Sequence, residues 1–392
     1  MTKVGTTSQQ YIPDALKELK KLIYTQGDTA AVIFFVSTYY NINSVAQIAR
    51  MEFPDCETFG CTSGGEIYST GFGETGMQNN SIVAMSFSKT LFKQTHFEII
   101  EFMREDYASA FRHIGDAFNS SSLEMDPEKY FGLVLTSGSD DGFAKREEHM
   151  MDNFITHSNI RFVGGAAGDD FRFYRTHVFY NGIVYTDSAL LMVAEVTRKM
   201  AFAKIHSFTP TDRVFTVTKA QNRQIFELDG RNAVDAYLDA LGNPDRSDAK
   251  LMGGLYITNP LAVQVGDDLY IRSILDTSFG YISLACDIDE GATICVAKAN
   301  DIMKHTEDFI ASMLRSAITD NSEPLGIVGF NCAYRMIQVT MAATPEDAQA
   351  GCPLTFKKHS EAFKRVPSLI LSSYGEMYVV NMNQTLTCVM FY

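Results

Sequence analysis

The sequence predicts a two-domain chain, an amino-terminal α/β layered-sheet domain over residues 28–209 followed by a mixed-sheet α+β domain over 210–392. Three observations point there. Apolar runs rich in β-branched and aromatic residues, such as 29–37 and 131–136, read as strands buried on both faces. Helical segments separate them, and strand, helix, strand is the pattern of an α/β layer. Past residue 210 the pattern changes to short hairpin-like strands, and 392 residues suffice for two full cores.

Residues 14–24 form a charged amphipathic helix with Leu16, Leu19, Leu22 and Ile23 on one side. A strand at 29–37, a helix at 44–51 and a strand at 81–87 follow. Between the last two lies Thr58 to Tyr68, a strand ending in the adjacent Gly64 and Gly65, whose backbone angles are open to glycine alone, with Glu66 directly after. A strand at 96–103, a helix at 107–118 and a strand at 131–136 come next. The last ends in the polar turn 136–142, at the strand end where α/β sheets carry ligands. A helix at 145–155 and a strand at 161–165 run into the glycine-rich turn 164–170. Phosphate loops lead into a helix amino terminus, whereas two aspartates and a strand-like aromatic stretch at 171–180 follow here, which makes it a tight turn between strands.

Strands at 188–196 and 201–208 complete the first half, and Thr209-Pro210-Thr211-Asp212 is the junction. The second half reads as a hairpin over 214–228, a helix at 232–241, and short strands at 255–257, 261–265, 269–275, 280–286 and 292–297. The helix at 301–318 has Asn300 as its cap, with Ile302, Phe309, Met313 and Ile318 near one face. A strand at 325–332 and a closing hairpin, 377–381 with 385–391 over Asn383-Gln384, end the chain. No internal repeat is read.

Composition narrows the function. A net charge of −14 without a lysine and arginine run argues against nucleic acid and anionic membrane as partners. No apolar run has bilayer-spanning length, and residues 1–10 lack the charged start and apolar core of a signal peptide, so a cytoplasmic protein is expected. Seven cysteines in mostly apolar surroundings read as reduced, buried thiols. Neither Ser63 nor Ser137 has the glycine spacing of a nucleophile elbow, and no histidine pair has metal spacing. Arg272 inside 269–274 and Arg335 at the end of 328–335 interrupt apolar strands. A guanidinium near a core needs an acidic partner, for which Glu376 is the candidate, or it clamps a carboxylate ligand through its planar fork.

Several stretches resemble the FIST (F-box and intracellular signal transduction) family. The first half is similar to the FIST N domain through Gly60-Cys61-Thr62-Ser63-Gly64-Gly65-Glu66-Ile67, Phe162 to Asp169 and Thr176 to Gly182. The second half is similar to the FIST C domain through Tyr270-Ile271-Arg272, Gly329 to Arg335, Tyr374-Gly375-Glu376 and Asn383 to Thr387. The resemblance implies an intracellular sensor of a small molecule or gas, with Cys61, Gly64, Gly65, Glu66, Arg272, Asn331, Arg335 and Glu376 as ligand-binding residues. It also implies, through family members that are haemoproteins, a haem-based nitric oxide sensor with His177 as axial ligand; His96, His113, His206 and His305 are further candidates. Signalling then passes by docking to a histidine kinase or a cyclic-di-GMP enzyme. Two alternatives stand beside it: a non-haem sensor of an amino acid or other carboxylate metabolite, and an enzyme with Cys61 or Cys332 as nucleophile.

Overall fold

The structure, a computed structural model, describes residues 1–120, 124–138, 146–319, 321–342 and 354–392. It is the mixed α/β fold expected, built from one six-stranded sheet pattern used three times.

The first unit contains β1 (Thr2–Thr7), α1 (Ile12–Ile23), β2 (Thr29–Ser37), α2 (Ile42–Glu52), β3 (Glu57–Ser63), β4 (Glu66–Thr70), β5 (Thr75–Gln78) and β6 (Ile82–Ser88). The second contains β7 (Phe92–Glu101), α3 (Tyr107–Ala117), β8 (Tyr130–Thr136), α4 (Arg146–His157), β9 (Arg161–Ala166), β10 (Val178–Tyr180), β11 (Ile183–Tyr185) and β12 (Ser188–Val196). The third begins at β13 (Met200–His206) and is then interrupted by an insertion. This holds β14 (Phe208–Gln221), β15 (Gln224–Leu228), β16 (Arg231–Asn232), α5 (Ala233–Ala240), α6 (Ala249–Thr258), β17 (Leu261–Val265), β18 (Asp268–Arg272), β19 (Ile274–Asp276), β20 (Ile282–Leu284) and β21 (Thr293–Ala299). The third unit resumes with α7 (Ile302–Thr319), β22 (Gly326–Cys332), α8 (Ala333–Met341), α9 (Leu354–Glu361), β23 (Pro367–Ser373), β24 (Glu376–Met377), β25 (Asn381–Met382) and β26 (Thr385–Phe391).

In each unit two strands run parallel across a helical crossover: β2 with β3, β8 with β9, and β22 with β23. The hairpin that follows leaves its own sheet. The β4–β5 pair joins β23 of the third unit, β24–β25 joins β9 of the second, and β10–β11 joins β3 of the first. The sheets therefore read β1-β6-β2-β3-β10-β11, β7-β12-β8-β9-β24-β25 and β13-β26-β22-β23-β4-β5, the same order each time with the strand exchange closed into a ring. This corrects the reading of a chain without internal repeat.

The inner faces of the three sheets share one core, where Phe87 of the first unit stacks on Phe92 of the second at 4.5 Å and Phe391 of the third lies 5.5 Å from Phe131. Each outer face packs its own helices: α1 and α2, then α3 and α4, then α7 and α8, over separate clusters. The strands buried on both faces are thus the continuous apolar runs of the sequence. The insertion has a core of its own around Tyr237 and Leu261.

Local departures from the sequence reading have physical causes. Residues 255–257 lie in α6, where Asp248 caps the helix by accepting from the Leu251 N–H at 2.9 Å. The chain around Arg335 turns from strand to helix at Cys332, which puts Arg335 in the first turn of α8. Asp301 caps α7 in place of Asn300, accepting from the N–H groups of Met303 and Lys304, and Ile318 is exposed at the far end. Asn381 pairs with Met377 directly, while 385–391 pairs with β13 and β22, so the terminal hairpin is β24–β25. Residues 209–212 run inside β14, where the chain passes from the third unit into the insertion.

Candidate functional site

The three units meet where their second parallel strands end, and the meeting is marked by three equivalent hydrogen bonds. The N–H of Ser372 donates to Gly65 O, that of Ala166 to Gly375 O, and that of Thr62 to His177 O, each at 2.9 Å. Gly65, at φ +116, is in a conformation that L side chains rarely adopt, and that bend carries the chain from β3 to the neighbouring sheet. Gly168 lies against the first unit so closely that a Cβ would fall 2.6 Å from the Gly64 nitrogen.

Directly after these bends sit Glu66 and Glu376, both fully buried. Glu66 accepts from the hydroxyls of Ser63 and, at 2.7 Å, Ser81. Glu376 accepts from Ser373 at 2.6 Å and from the Thr385 hydroxyl at 2.9 Å. Burial pushes each carboxyl up to about 8, against the pull of these hydroxyls. Each is therefore held towards its neutral form near pH 7. The second unit holds Ala167, Val178 and Ser188 at the matching places, and there Ser188 pairs with Ser137.

At this hub, between the core and the insertion, a cavity of about 160 Å³ lies among Ala166, Ala167, Gly375, Tyr374, Arg223 and Asn381. A larger one of about 890 Å³ opens between α5, α6 and α8, with Tyr256, Tyr334 and Met252 in its wall. Phe173 and Leu275 line both, so the two form one groove with an inner and an outer chamber. The inner chamber lies at the carboxyl ends of the parallel strands.

The 171–180 stretch, read as a strand, is mostly a loop that hangs Phe171 and Phe173 over the groove; only Val178–Tyr180 is strand. Asp170, Phe171 and Phe173 all have left-handed φ of 50 to 60. Such residues cost of order 1–3 kcal/mol each and persist where their surroundings fix them. Asp169 does the fixing. Its carboxylate accepts from the N–H groups of Phe173, Tyr174 and Arg175 at 2.8–3.1 Å and from the Tyr374 hydroxyl at 2.6 Å. Burial opposes ionisation, but the Tyr374 hydroxyl and these amides together hold the Asp169 carboxyl below its ordinary range. Phe173 stacks on Tyr374 at 4.7 Å.

The insertion is fastened to the core at one corner of the inner chamber. Glu148 of α4, 8% exposed, accepts from Arg223 at 2.8 Å, from the Asp287 N–H at 3.1 Å and from Asn381 Nδ2 at 3.0 Å. Arg223 also reaches Glu147 at 2.9 Å, and Arg146 pairs with Asp187 at 2.8 Å.

Of the residues expected to bind ligand, Gly64, Gly65, Glu66 and Glu376 stand at the strand ends of the hub, but none of them lines either chamber. Cys61 lies beneath it in β3, opposite Val178, and burial raises its thiol and that of Cys332 well above the ordinary value, which leaves neither activated. Arg335 is fully buried, but its partners are the neutral oxygens of Asn331, Ser207 and Thr306 at 2.8, 3.2 and 2.8 Å. Among the described residues no carboxylate lies within bonding distance of it, Glu376 included. Arg272 donates to the Asp287 carbonyl at 2.9 Å, and neither arginine lines the groove. His177 is half-buried, with its ring held towards the neutral form by burial and by Arg175, and it too lines neither chamber. Six cysteines are free and buried; Cys352 lies outside the described residues, as do positions 139–142 of the polar turn. Sequence reasoning missed Phe173, Tyr374 and Asn381, whose roles come from contacts between distant segments.

A three-unit core with a preformed groove at its hub, with no activated thiol beside it among the described residues, has the form of a small-molecule site. Sequence comparison agrees: the chain belongs to the FIST family, with the FIST N domain matching residues 30–231 and the FIST C domain residues 233–378. FIST domains are signal-transduction sensor domains, sensory rather than catalytic. An uncharacterized protein of Methanocaldococcus jannaschii is 22% identical over 311 residues, 74% of this chain and 58% of its own length, so this chain spans less than two thirds of that relative. Among the described residues no helix is long and apolar enough to cross a membrane.

Proposed function

We propose that this chain is an intracellular sensor that takes a small molecule into the groove between core and insertion, and reports its presence to a partner protein by the way the insertion sits. The observation that carries this reading is the strained loop 170–173, which holds two large aromatic side chains at the groove wall where burial alone would have drawn them inward. Glu148 supplies the coupling, since it bonds the insertion and the floor of the inner chamber at once. A ligand that favours one setting of this contact shifts the equilibrium between them. The buried free thiols fit the reducing cytoplasm, and a histidine kinase or cyclic-di-GMP enzyme is the partner class we assign by family resemblance.

A haem version would place His177 at a cavity wall. His177 lines neither chamber, and the walls of both are without histidine or cysteine, so the version with His177 as axial ligand finds no cavity here and we read the sensor in its metabolite form.

The chain has no tryptophan, so Phe173→Trp puts a single indole at the junction of the chambers. Titration with a metabolite library should give a saturable change in its emission for one chemical class. Flat emission across the library, with the variant melting like the parent, would overturn the reading.

A further inference from the structure

One carboxylate in the groove wall has no counter-charge among the described residues. Three guanidiniums line the two chambers, and each already faces a carboxylate. Arg146 pairs with Asp187 at 2.8 Å, Arg223 with Glu147 at 2.9 Å and Glu148 at 2.8 Å, and Arg246 with Asp235 at 2.6 Å. Beside Glu147 and Asp235 the remaining lining carboxylate is Asp276, at the end of β19, and among the described residues no lysine, arginine or histidine pairs with it.

The turn that follows Asp276 fixes its side chain. Oδ1 accepts from the N–H groups of Thr277 at 2.8 Å and Ser278 at 3.0 Å, and Oδ2 accepts from the Ser278 hydroxyl at 2.5 Å. A carboxylate offers about four lone-pair sites, so Oδ2 keeps one for a further donor. The outer chamber around it is aromatic, walled by Phe171, Phe173, Tyr256 and Tyr334. Tyr256 belongs to the same corner, its hydroxyl 2.6 Å from that of Thr277. Burial raises that phenol above its ordinary range and the Asp276 charge adds to the rise, against the Thr277 hydrogen bond, so carboxylate and ring are within electrostatic reach of each other.

A carboxylate among aromatic rings attracts a cation twice over, by opposite charge and by the negative faces of the rings. An anion meets the reverse, because every guanidinium of the walls is engaged and the net charge of −14 repels it at long range. We propose that the outer chamber recognises an organic amine that carries no carboxylate, its ammonium on Asp276 Oδ2 and its apolar or aromatic body against Phe173, Tyr256 and Met252. The inference rests on the ligand-binding reading of the groove and adds the class of ligand. A chamber of about 890 Å³ has the size of a small-molecule site. The carboxylate metabolite suggested by Arg272 and Arg335 is thereby replaced, since neither arginine lines the groove.

The test uses the full chain and four probes with one phenyl tail and a two-carbon spacer: phenethylamine, 2-phenylethanol, 3-phenylpropionate and phenylalanine, followed by saturation-transfer NMR. Phenethylamine should bind at least about tenfold more tightly than the other three, the low end of what a hydrogen bond to a charged group contributes. Asp276→Asn keeps an oxygen for the turn and removes the charge. It should weaken phenethylamine by a similar factor and leave 2-phenylethanol unchanged. The comparison of probes on the parent chain stands by itself should the variant fold poorly. Any of the other three probes binding as tightly as phenethylamine overturns the assignment, and so does a folded Asp276→Asn variant that binds the amine like the parent. Silence from all four probes, while the indole at position 173 still answers a metabolite, also overturns it and leaves the sensor reading standing; silence in both experiments overturns both.

Discussion

Glu66 and Glu376 lie more than three hundred residues apart in sequence and occupy one and the same place in the fold. Each follows a glycine whose carbonyl accepts from the next unit, each accepts from a serine three residues earlier, and each takes a second hydroxyl from the strand that closes its unit. Val178, with Ala167 beside it, holds that place in the second unit. The fold therefore closes with or without a carboxylate there.

Both carboxyls are raised by burial to about 8 from an ordinary 4.5. The folded state keeps its protons between those limits while the unfolded chain has released them, so the stability they contribute is complete below pH 4.5 and is lost as pH rises through 8. Relative to the Glu66→Gln/Glu376→Gln variant, the parent should lose about 1.4 kcal/mol per pH unit for each carboxyl across that window. Urea unfolding at pH 5, 6.5 and 8 measures the difference, and a gap that does not change with pH would contradict the assignment.

The second unit supplies the control for the first. Glu66→Val alone strands the hydroxyls of Ser63 and Ser81 in a dry site, at about 1–3 kcal/mol each. Adding Ser63→Ala, which copies Ala167 beside Val178, should restore about 1–3 kcal/mol of that loss. A second substitution that destabilises further would show that the units are not equivalent at this point.

Asp169→Asn keeps the shape of the side chain and removes the charge that gathers three backbone N–H groups and the Tyr374 hydroxyl. Hydrogen bonds to a charged group contribute about 1.5–3 kcal/mol each, shared here among residues already in left-handed conformations. The loop should release Phe173, with a modest drop in melting temperature and a fall in the emission anisotropy of an indole at position 173. An indole as rigid in the Asp169→Asn background as in the parent would refute the role of Asp169.

Gly65→Ala should destabilise the protein by about 1–3 kcal/mol through backbone strain at φ +116, although no neighbour lies closer than 3.4 Å to the added carbon. Gly168→Ala should cost more, because the obstacle 2.6 Å away is backbone. Thermal unfolding of the two variants gives the order directly.

Much of this architecture is legible in residues, and the rest is hidden for definable reasons. The runs 29–37, 131–136 and 326–332 announce three buried strands because both of their faces are covered. Thr62-Ser63-Gly64-Gly65-Glu66-Ile67-Tyr68 and Ser372-Ser373-Tyr374-Gly375-Glu376-Met377-Tyr378 are copies of one motif in plain sight. The third copy escapes because Ala167 and Val178 replaced the polar pair and the 169–175 loop separated them. Arg335 misled by composition alone: a guanidinium in an apolar run suggests a strand with an acidic partner, whereas a helix begins there and hydroxyl and amide oxygens meet the charge. The groove was illegible because its walls come from Phe173, Leu275 and Tyr374, which only the ring of exchanged strands and the insertion bring together.

That ring also sets a timetable for synthesis. The β4–β5 hairpin is complete once residue 78 has been made, yet its partner strand ends at residue 373. At about 5–20 residues per second, the open edge of this hairpin waits on the order of 15–60 s for its neighbour. During that interval Ile67 and Tyr68, destined for complete or nearly complete burial, face solvent on an unpaired strand. The nascent chain is exposed to misassociation at this hairpin, and the synthesis of β23 ends that exposure.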